Sequence, residues 1–306
     1  MQSSLDVEAY YLVLAEQAHS ELFGPQRGAW LERLEREYVN LRTVLHWLAE
    51  NGEAEKGLRL ATALREFWLG GNHLSEGRDW LAEFLALPQA VAWTTIRAHA
   101  LDVAGALAFW QSDQDVAQAL MGEGLAIRRE LGDRPGIAVS LIHLGTNKWI
   151  FECDYTTART LYEESLAIYQ ELNNRTGIAY SQLNLGNLAL EQGDYSVAYL
   201  LLKESLITLR GDEDLWAINF ALDSLAGVAA GQGRSKHALC LAGASEALRE
   251  SIGILLPPVW RVWIERLLES ARWALDENIC AAVWTEGQAM TPEQAISYAL
   301  EERFAI

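Results

Sequence analysis

Glu130-Leu131-Gly132-Asp133-Arg134-Pro135-Gly136-Ile137-Ala138 returns 41 residues later as Glu171-Leu172-Asn173-Asn174-Arg175-Thr176-Gly177-Ile178-Ala179. Self-similarity at a period of this size is the mark of stacked supersecondary units. The pattern extends both ways. A glycine recurs at Gly105, Gly145, Gly186 and Gly227, with offsets of 40, 41 and 41. A second small position recurs at Gly77, Ala117, Ala158, Ala198 and Ala238. Before it stands a turn: Cys153-Asp154-Tyr155, Gly193-Asp194-Tyr195 or Gly233-Arg234-Ser235. Two antiparallel helices in close approach need a small residue on each, because a larger one would force them apart. A glycine inside a helix costs about 1 kcal/mol relative to alanine, so its return at one register indicates packing. The Gly-Asp turn gives the first helix a left-handed end and the second an N-cap.

The segments between the turns have helical period. Trp30, Leu34, Tyr38, Leu41, Leu45 and Leu48 form one apolar stripe, with Glu32, Arg33, Glu35, Arg36 and Glu37 on the other faces. Similar segments run to the end of the chain, and no period-two stretch bounded by turns stands out. The six prolines, Pro25, Pro88, Pro135, Pro257, Pro258 and Pro292, fall between these segments or at their starts. The expectation is an all-α fold of antiparallel helix pairs with a period of about 40. Residues 1–53 form a helical lead-in, 54–253 the repeats and 254–306 a helical cap.

Composition narrows the function. The 306 residues carry a formal charge of −18, and half are apolar, enough for a sizeable core. The acidic balance argues against this chain itself gripping nucleic acid or an anionic membrane. No apolar run approaches the ~20 residues of a membrane span, and Met1-Gln2-Ser3-Ser4 does not begin a secretory signal. Cys153, Cys240 and Cys280 are odd in number and far apart. They read as buried or half-buried free thiols in a reducing compartment.

Catalytic and metal patterns are missing. There is no Gly-x-x-x-x-Gly-Lys-Ser/Thr loop and no Gly-x-Ser-x-Gly elbow. The six histidines, His19, His46, His73, His99, His143 and His237, never reach His-x-x-x-His spacing. His237 and Cys240 lie one helical turn apart without further ligands. Glu163-Glu164 and Glu301-Glu302 read as solvated faces. No cofactor, metal or catalytic residue is expected. A helical hydrolase, needing two carboxylates across one cleft, is a remote alternative.

Leu144-Gly145, Leu185-Gly186, Gly193-Asp194-Tyr195 and Ala198 resemble the tetratricopeptide repeat, though the period exceeds the 34 residues of that family. The resemblance implies a right-handed superhelical solenoid whose first helices line a concave groove. In that register His99, Asp102, Phe109 and Trp110 face the groove, then Thr146 and Trp149, then Tyr180, Asn184, Asn187 and Glu191, and last Ser224. Aromatic and amide groups there suit a peptide or a small polar ligand. Phe109, Trp110 and Trp149 are equally open to a role in packing between repeats. The twelve tryptophans, among them Trp68, Trp80, Trp93, Trp216, Trp273 and Trp284, are dispersed as packing residues are. Trp260 and Trp263, three apart, are placed to seal the C-terminal end.

Two terminal passages carry a closer resemblance. One comprises Tyr10-Tyr11-Leu12-Val13-Leu14-Ala15-Glu16, Gly24-Pro25-Gln26, Trp30-Leu31-Glu32-Arg33-Leu34-Glu35 and Asn40-Leu41-Arg42. The other is Trp284-Thr285-Glu286-Gly287-Gln288-Ala289-Met290-Thr291-Pro292-Glu293-Gln294-Ala295. There Thr291 reads as an N-cap, Pro292 as the first helical residue and Gln294 as the partner in a capping box. Both passages resemble a bacterial family of signal-transducing ATPases (the STAND class) that often end in a LuxR-type DNA-binding module. That resemblance implies a cytoplasmic, non-catalytic sensor arm cut from a longer regulator. Its partners would be a protein or small-molecule effector in the groove and an attached ATPase module. Nucleic acid would be touched only by another segment. The alternative is a stand-alone adaptor that binds a partner's peptide or helix.

Overall fold

The computed structural model describes residues 2–301 apart from 25, 71–72, 93 and 254, with side chains from residue 7 onward. Pro25, Trp93 and Glu302 therefore lie outside the described residues. Among the described residues the chain forms sixteen α-helices, one 3-10 turn and no strand.

The chain divides into two compact units, Met1–Asn147 and Lys148–Ile306. The first holds α1 (Gln2–Glu21), α2 (Arg27–Glu50), α3 (Ala54–Ala63), α4 (Arg65–Gly70), α5 (Leu74–Ala86), α6 (Thr95–Trp110) and α7 (Gln114–Leu131). The boundary between the two units falls inside α8 (Arg134–Glu152). The second unit continues with α9 (Tyr155–Glu171), α10 (Arg175–Glu191), α11 (Tyr195–Gly211), α12 (Leu215–Gly231) and α13 (Ser235–Ser251). It ends with α14 (Pro258–Trp273), α15 (Glu277–Gln288) and α16 (Pro292–Ala299).

A stop signal sets the helix lengths. Backbone φ turns positive at Ser112, Gly132, Cys153, Asn173, Gly193, Glu213, Gly233 and Gly253, every 20 or 21 residues. Each is the left-handed residue that ends a helix. The next residue often does two things. Asp194 donates its N–H to the Ala189 carbonyl at 2.9 Å, closing α10, and accepts from the Val197 N–H at 3.2 Å, opening α11. Asp133, Asp154, Asn174 and Asp214 cap in the same way, at 2.9 to 3.1 Å. The expected Thr291–Gln294 capping box is present, with Pro292 at the first helical position.

The small positions act as expected in most places. Ala117, Ala158, Ala198 and Ala238 are fully buried. A methyl at Gly105 would stand 2.8 Å from Met121 and 3.2 Å from the Ala117 carbonyl, both on α7. One at Gly186 would meet Leu202 of α11 at 2.8 Å. Gly227 departs from this pattern: a methyl there would strike Leu267 of α14 at 2.8 Å and Leu190 of α10 at 3.0 Å. Its space admits the helix beyond the repeats.

The tightest backbone approach joins α13 to α15. A methyl on Gly287 would lie 1.9 Å from the Cys240 carbonyl oxygen, and one on Gly243 would lie 2.4 Å from that of Trp284. Neither carbonyl can swing away as a side chain can. Gly287→Ala should therefore lower the unfolding free energy by about 3 kcal/mol in urea titrations. Gly122→Ala, with nothing within 4 Å, should raise it by about 0.5–1 kcal/mol. Equal effects of the two substitutions would refute this account of the contact.

Candidate functional site

In the second unit, α14 lies against the face expected to be an open groove. Trp260 and Trp263 do not seal an end. Their rings meet Trp149 edge-on at 5.4 and 5.5 Å, and Trp260 also meets Phe220 at 5.5 Å. Pro258 starts α14 with its fixed φ, and Leu267 enters the space at Gly227. Trp149 is buried by this cluster.

Glu191 is held by the same helix. Its carboxylate accepts from the Trp263 indole N–H at 2.6 Å and pairs with Arg266 at 2.5 Å, and its side chain is 2% exposed. The Tyr155 hydroxyl approaches at 3.4 Å. Beside these groups lies a cleft of about 410 Å³, lined by Trp149, Ile150, Cys153, Tyr155, Glu191, Pro258, Val259, Val262, Trp263 and Arg266. It thus brings together two of the expected residues, Trp149 and Glu191. Cys153, expected to be at least half buried, is exposed at its rim. Arg266 is more than half exposed, so its grip on Glu191 is the one an incoming cation could displace.

The other expected residues of this unit are engaged internally. The Tyr180 hydroxyl donates to Asp214 at 2.6 Å, and the Asn184 amide to the Tyr180 carbonyl at 2.8 Å; both residues are half-buried. Asn187 is buried. Ser224, expected on the groove, is fully buried and donates back to the Phe220 carbonyl at 2.9 Å, a bond internal to α12.

In the first unit Phe109 is buried, while Trp110 and Thr146 are half-buried. Thr146 donates to the Ile142 carbonyl at 3.0 Å. Asp102 is buried and pairs with Arg128 of α7 at 2.5 Å; Ser140 of α8 donates to it at 3.1 Å. Arg128 also donates to the Gly136 carbonyl at 2.6 Å. Burial pushes Asp102 up to about 6, against the opposing pull of Arg128 and Ser140.

His99 opens to solvent, yet the surrounding protein still disfavours its charged form, and with Arg128 nearby it falls to about 4. His143, half-buried, is pushed down to about 3 by desolvation and then by Arg65 and Arg128. His19 is lowered by burial and by Arg65. Arg65, Arg128, His19 and His143 escaped the repeat register, because they come from α1, α4, α7 and an off-register turn of α8. Trp263 and Arg266 escaped it because the period stops before α14.

Among known proteins, a tetratricopeptide repeat family profile matches residues 151–206. Three candidate HTH-type transcriptional regulators, one from Mycobacterium bovis and two from strains of Mycobacterium tuberculosis, are each 30% identical over 143 residues. The match covers 44% of this chain and 16% of each relative. With the helix pairs described above, the fold is an all-α repeat of the tetratricopeptide type.

Two measurements check the sites. Trp263→Ala removes the indole between Trp149 and Glu191 and should cost about 3–5 kcal/mol. Amide exchange along α14 should accelerate more than along α9; uniform acceleration would contradict local anchoring. His143 has its folded value below the unfolded 6.5, so the unfolded chain binds the extra proton. Its stability contribution is complete above that value and is lost as pH falls toward about 3. Asp102 slopes the opposite way between about 6 and the ordinary carboxylate value of 3.8. His143→Gln should flatten the acid-side loss between pH 6.5 and 4.5 by at most about 1.4 kcal/mol per pH unit. An unchanged slope would count against the assignment.

Proposed function

We propose that the chain is a non-catalytic helical-repeat scaffold serving as the effector-receiving arm of a larger regulator. The observation that carries this is the similarity to HTH-type regulators in which the matched stretch is only 16% of the length. The repeats supply the scaffold. Their first helices present half-buried polar groups such as Tyr180 and Asn184, and α14 adds the cleft beside Glu191. The effector is a protein or a small molecule. Its binding shifts how the helices pack, and an attached ATPase module reads that shift. At a charge of −18, DNA contact belongs to another segment. The free thiols support a cytoplasmic setting. No helix among the described residues is long and apolar enough to cross a membrane.

The test begins with the reading frame on either side of residues 1–306. It should encode a phosphate-binding loop upstream and a DNA-binding module nearby. In that longer protein, deleting the repeats should make nucleotide turnover independent of effector. A native transcript starting at Met1 and ending at Ile306 would overturn the reading. The match of residues 151–206 to the repeat family favours a second reading, a stand-alone adaptor. In that case the isolated chain should capture one partner in stoichiometric amount; a pulldown that recovers none would end it.

A further inference from the structure

The cleft beside Glu191 lies wholly within the second unit. Three helices bring its polar groups to one carboxylate: Tyr155 from α9, Glu191 from the end of α10, and Trp263 and Arg266 from α14. The two oxygens of Glu191 are unequally used. Oε1 accepts from the Trp263 indole N–H at 2.6 Å and from Arg266 at 2.5 Å. Oε2 meets the Tyr155 hydroxyl at 3.4 Å, beyond the roughly 2.5–3.0 Å of an ordinary O–H···O bond. A carboxylate can take about four donors, so this one has room for more.

The rest of the wall is apolar. Trp149 and Trp263 meet with their ring planes at 85°, and Ile150, Val259 and Val262 continue it. Val262 is left 64% exposed, apolar surface that an occupant's body would cover. Among the described lining residues, Glu191 is the only carboxylate and Arg266 the only cation. Their side chains differ sharply in exposure, 2% for Glu191 against 57% for Arg266. The negative charge is therefore fixed in the wall. The positive one hangs on a flexible side chain that can return to water at little cost. Once Arg266 swings out, the cleft holds a single unopposed negative charge. An anion would be repelled by it. A metal ion would find too few ligands, because among the described residues no three His, Cys, Asp or Glu side chains gather. The net charge of −18 draws cations toward the protein as a whole.

We propose that this cleft binds an organic cation, an ammonium or guanidinium group carried on an apolar body, which takes the place of Arg266 on Glu191. The cationic head pairs with the carboxylate, and the body lies against Trp149, Ile150 and Val262. Arg266 is the built-in stand-in, since its guanidinium reaches Glu191 from the solvent side. The proposal rests on the effector-receiving reading above and gives that effector its chemical class. It also names what binding would change, because the Arg266 pair ties α14 to the end of α10.

The experiment titrates the full 306-residue chain near neutral pH with phenethylammonium chloride and, separately, with 2-phenylethanol, its uncharged counterpart. Calorimetry reads the affinity, and the Trp263 indole N–H resonance reads the site. The ammonium should saturate, shift that resonance and bind at least about tenfold tighter than the alcohol. Glu191→Gln should erase the difference between the two. Arg266→Gln removes the competitor and should tighten the ammonium several-fold, which a merely structural role for Arg266 would not do. It also decides the matter if the Glu191 variant does not fold. Arg210→Gln, which loses a surface pair with Glu293, should bind as the parent does. N-acetyl-lysine-N-methylamide separates the sources: binding as tight as the amine assigns the cation to a partner's lysine, weaker binding to a free amine. The proposal is overturned if the ammonium does not saturate, if the alcohol binds equally well, or if Arg266→Gln fails to tighten the ammonium. A transcript without flanking modules would defeat the regulator reading and leave this titration unaffected.

Discussion

Two helices can lie side by side along their whole length only if they stop at the same place. In this chain the left-handed residue at each helix end recurs every 20 or 21 positions from Ser112 to Gly253. After five of these stops the next residue, Asp133, Asp154, Asn174, Asp194 or Asp214, closes one helix with its N–H and opens the next with its side chain. Four of the eight stops, Ser112, Cys153, Asn173 and Glu213, are not glycine. Each costs about 1–2 kcal/mol for a side chain in that conformation. The strain persists because the following cap and the packed pair over-determine the turn. Uniform helix length then brings Gly105 onto Ala117 and Gly186 onto Leu202, so close packing follows from punctuation.

The same logic explains what the sequence reveals. Glycine, Asp and alanine at a fixed spacing have local physical causes, a positive φ, a cap and a close contact. The repeats from α6 to α13 are therefore visible without a structure, as is the Thr291–Gln294 capping box. Residues that meet across the period leave no such trace. Nothing local says that Leu267 fills the space at Gly227, or that Trp263 donates to Glu191 across 72 positions. Register placed Glu191 and Ser224 on one face, but α14 covers the first and the interior of α12 takes the second.

The passage Trp284-Thr285-Glu286-Gly287 shows how a motif and a contact coincide. Gly287 is the residue that lets α15 touch the Cys240 carbonyl. Trp284 and Gln288, one turn apart, both donate to Glu246 on α13, at 2.8 and 3.0 Å. A glycine that admits a backbone and two donors that fix its rotation need one another. Without the donors the helix could turn about the close contact, and without the glycine the donors could not reach. On this account the passage is the key that docks the end of the chain onto the last repeat.

Buried charge follows a different economy. The first repeat sets Asp102 against Arg128, and the fourth sets Asp223 against Arg249 at 2.9 Å. By the register of Gly105, Gly145, Gly186 and Gly227, the second and third repeats carry Ile142 and Leu183 at the position of Asp102, and the fourth carries Ser224, with Asp223 one residue before it. Well-packed apolar pairs stabilise at least as well as buried ion pairs, so the charges are not needed to hold the helices together. What they add is direction. Asp102 fixes Arg128 and Ser140 at once, tying α6, α7 and α8 at one point. Arg249 similarly reaches both Asp223 and Asn219 of α12. An apolar pair would let those helices slide by fractions of an ångström, whereas a charge with two or three bonds does not.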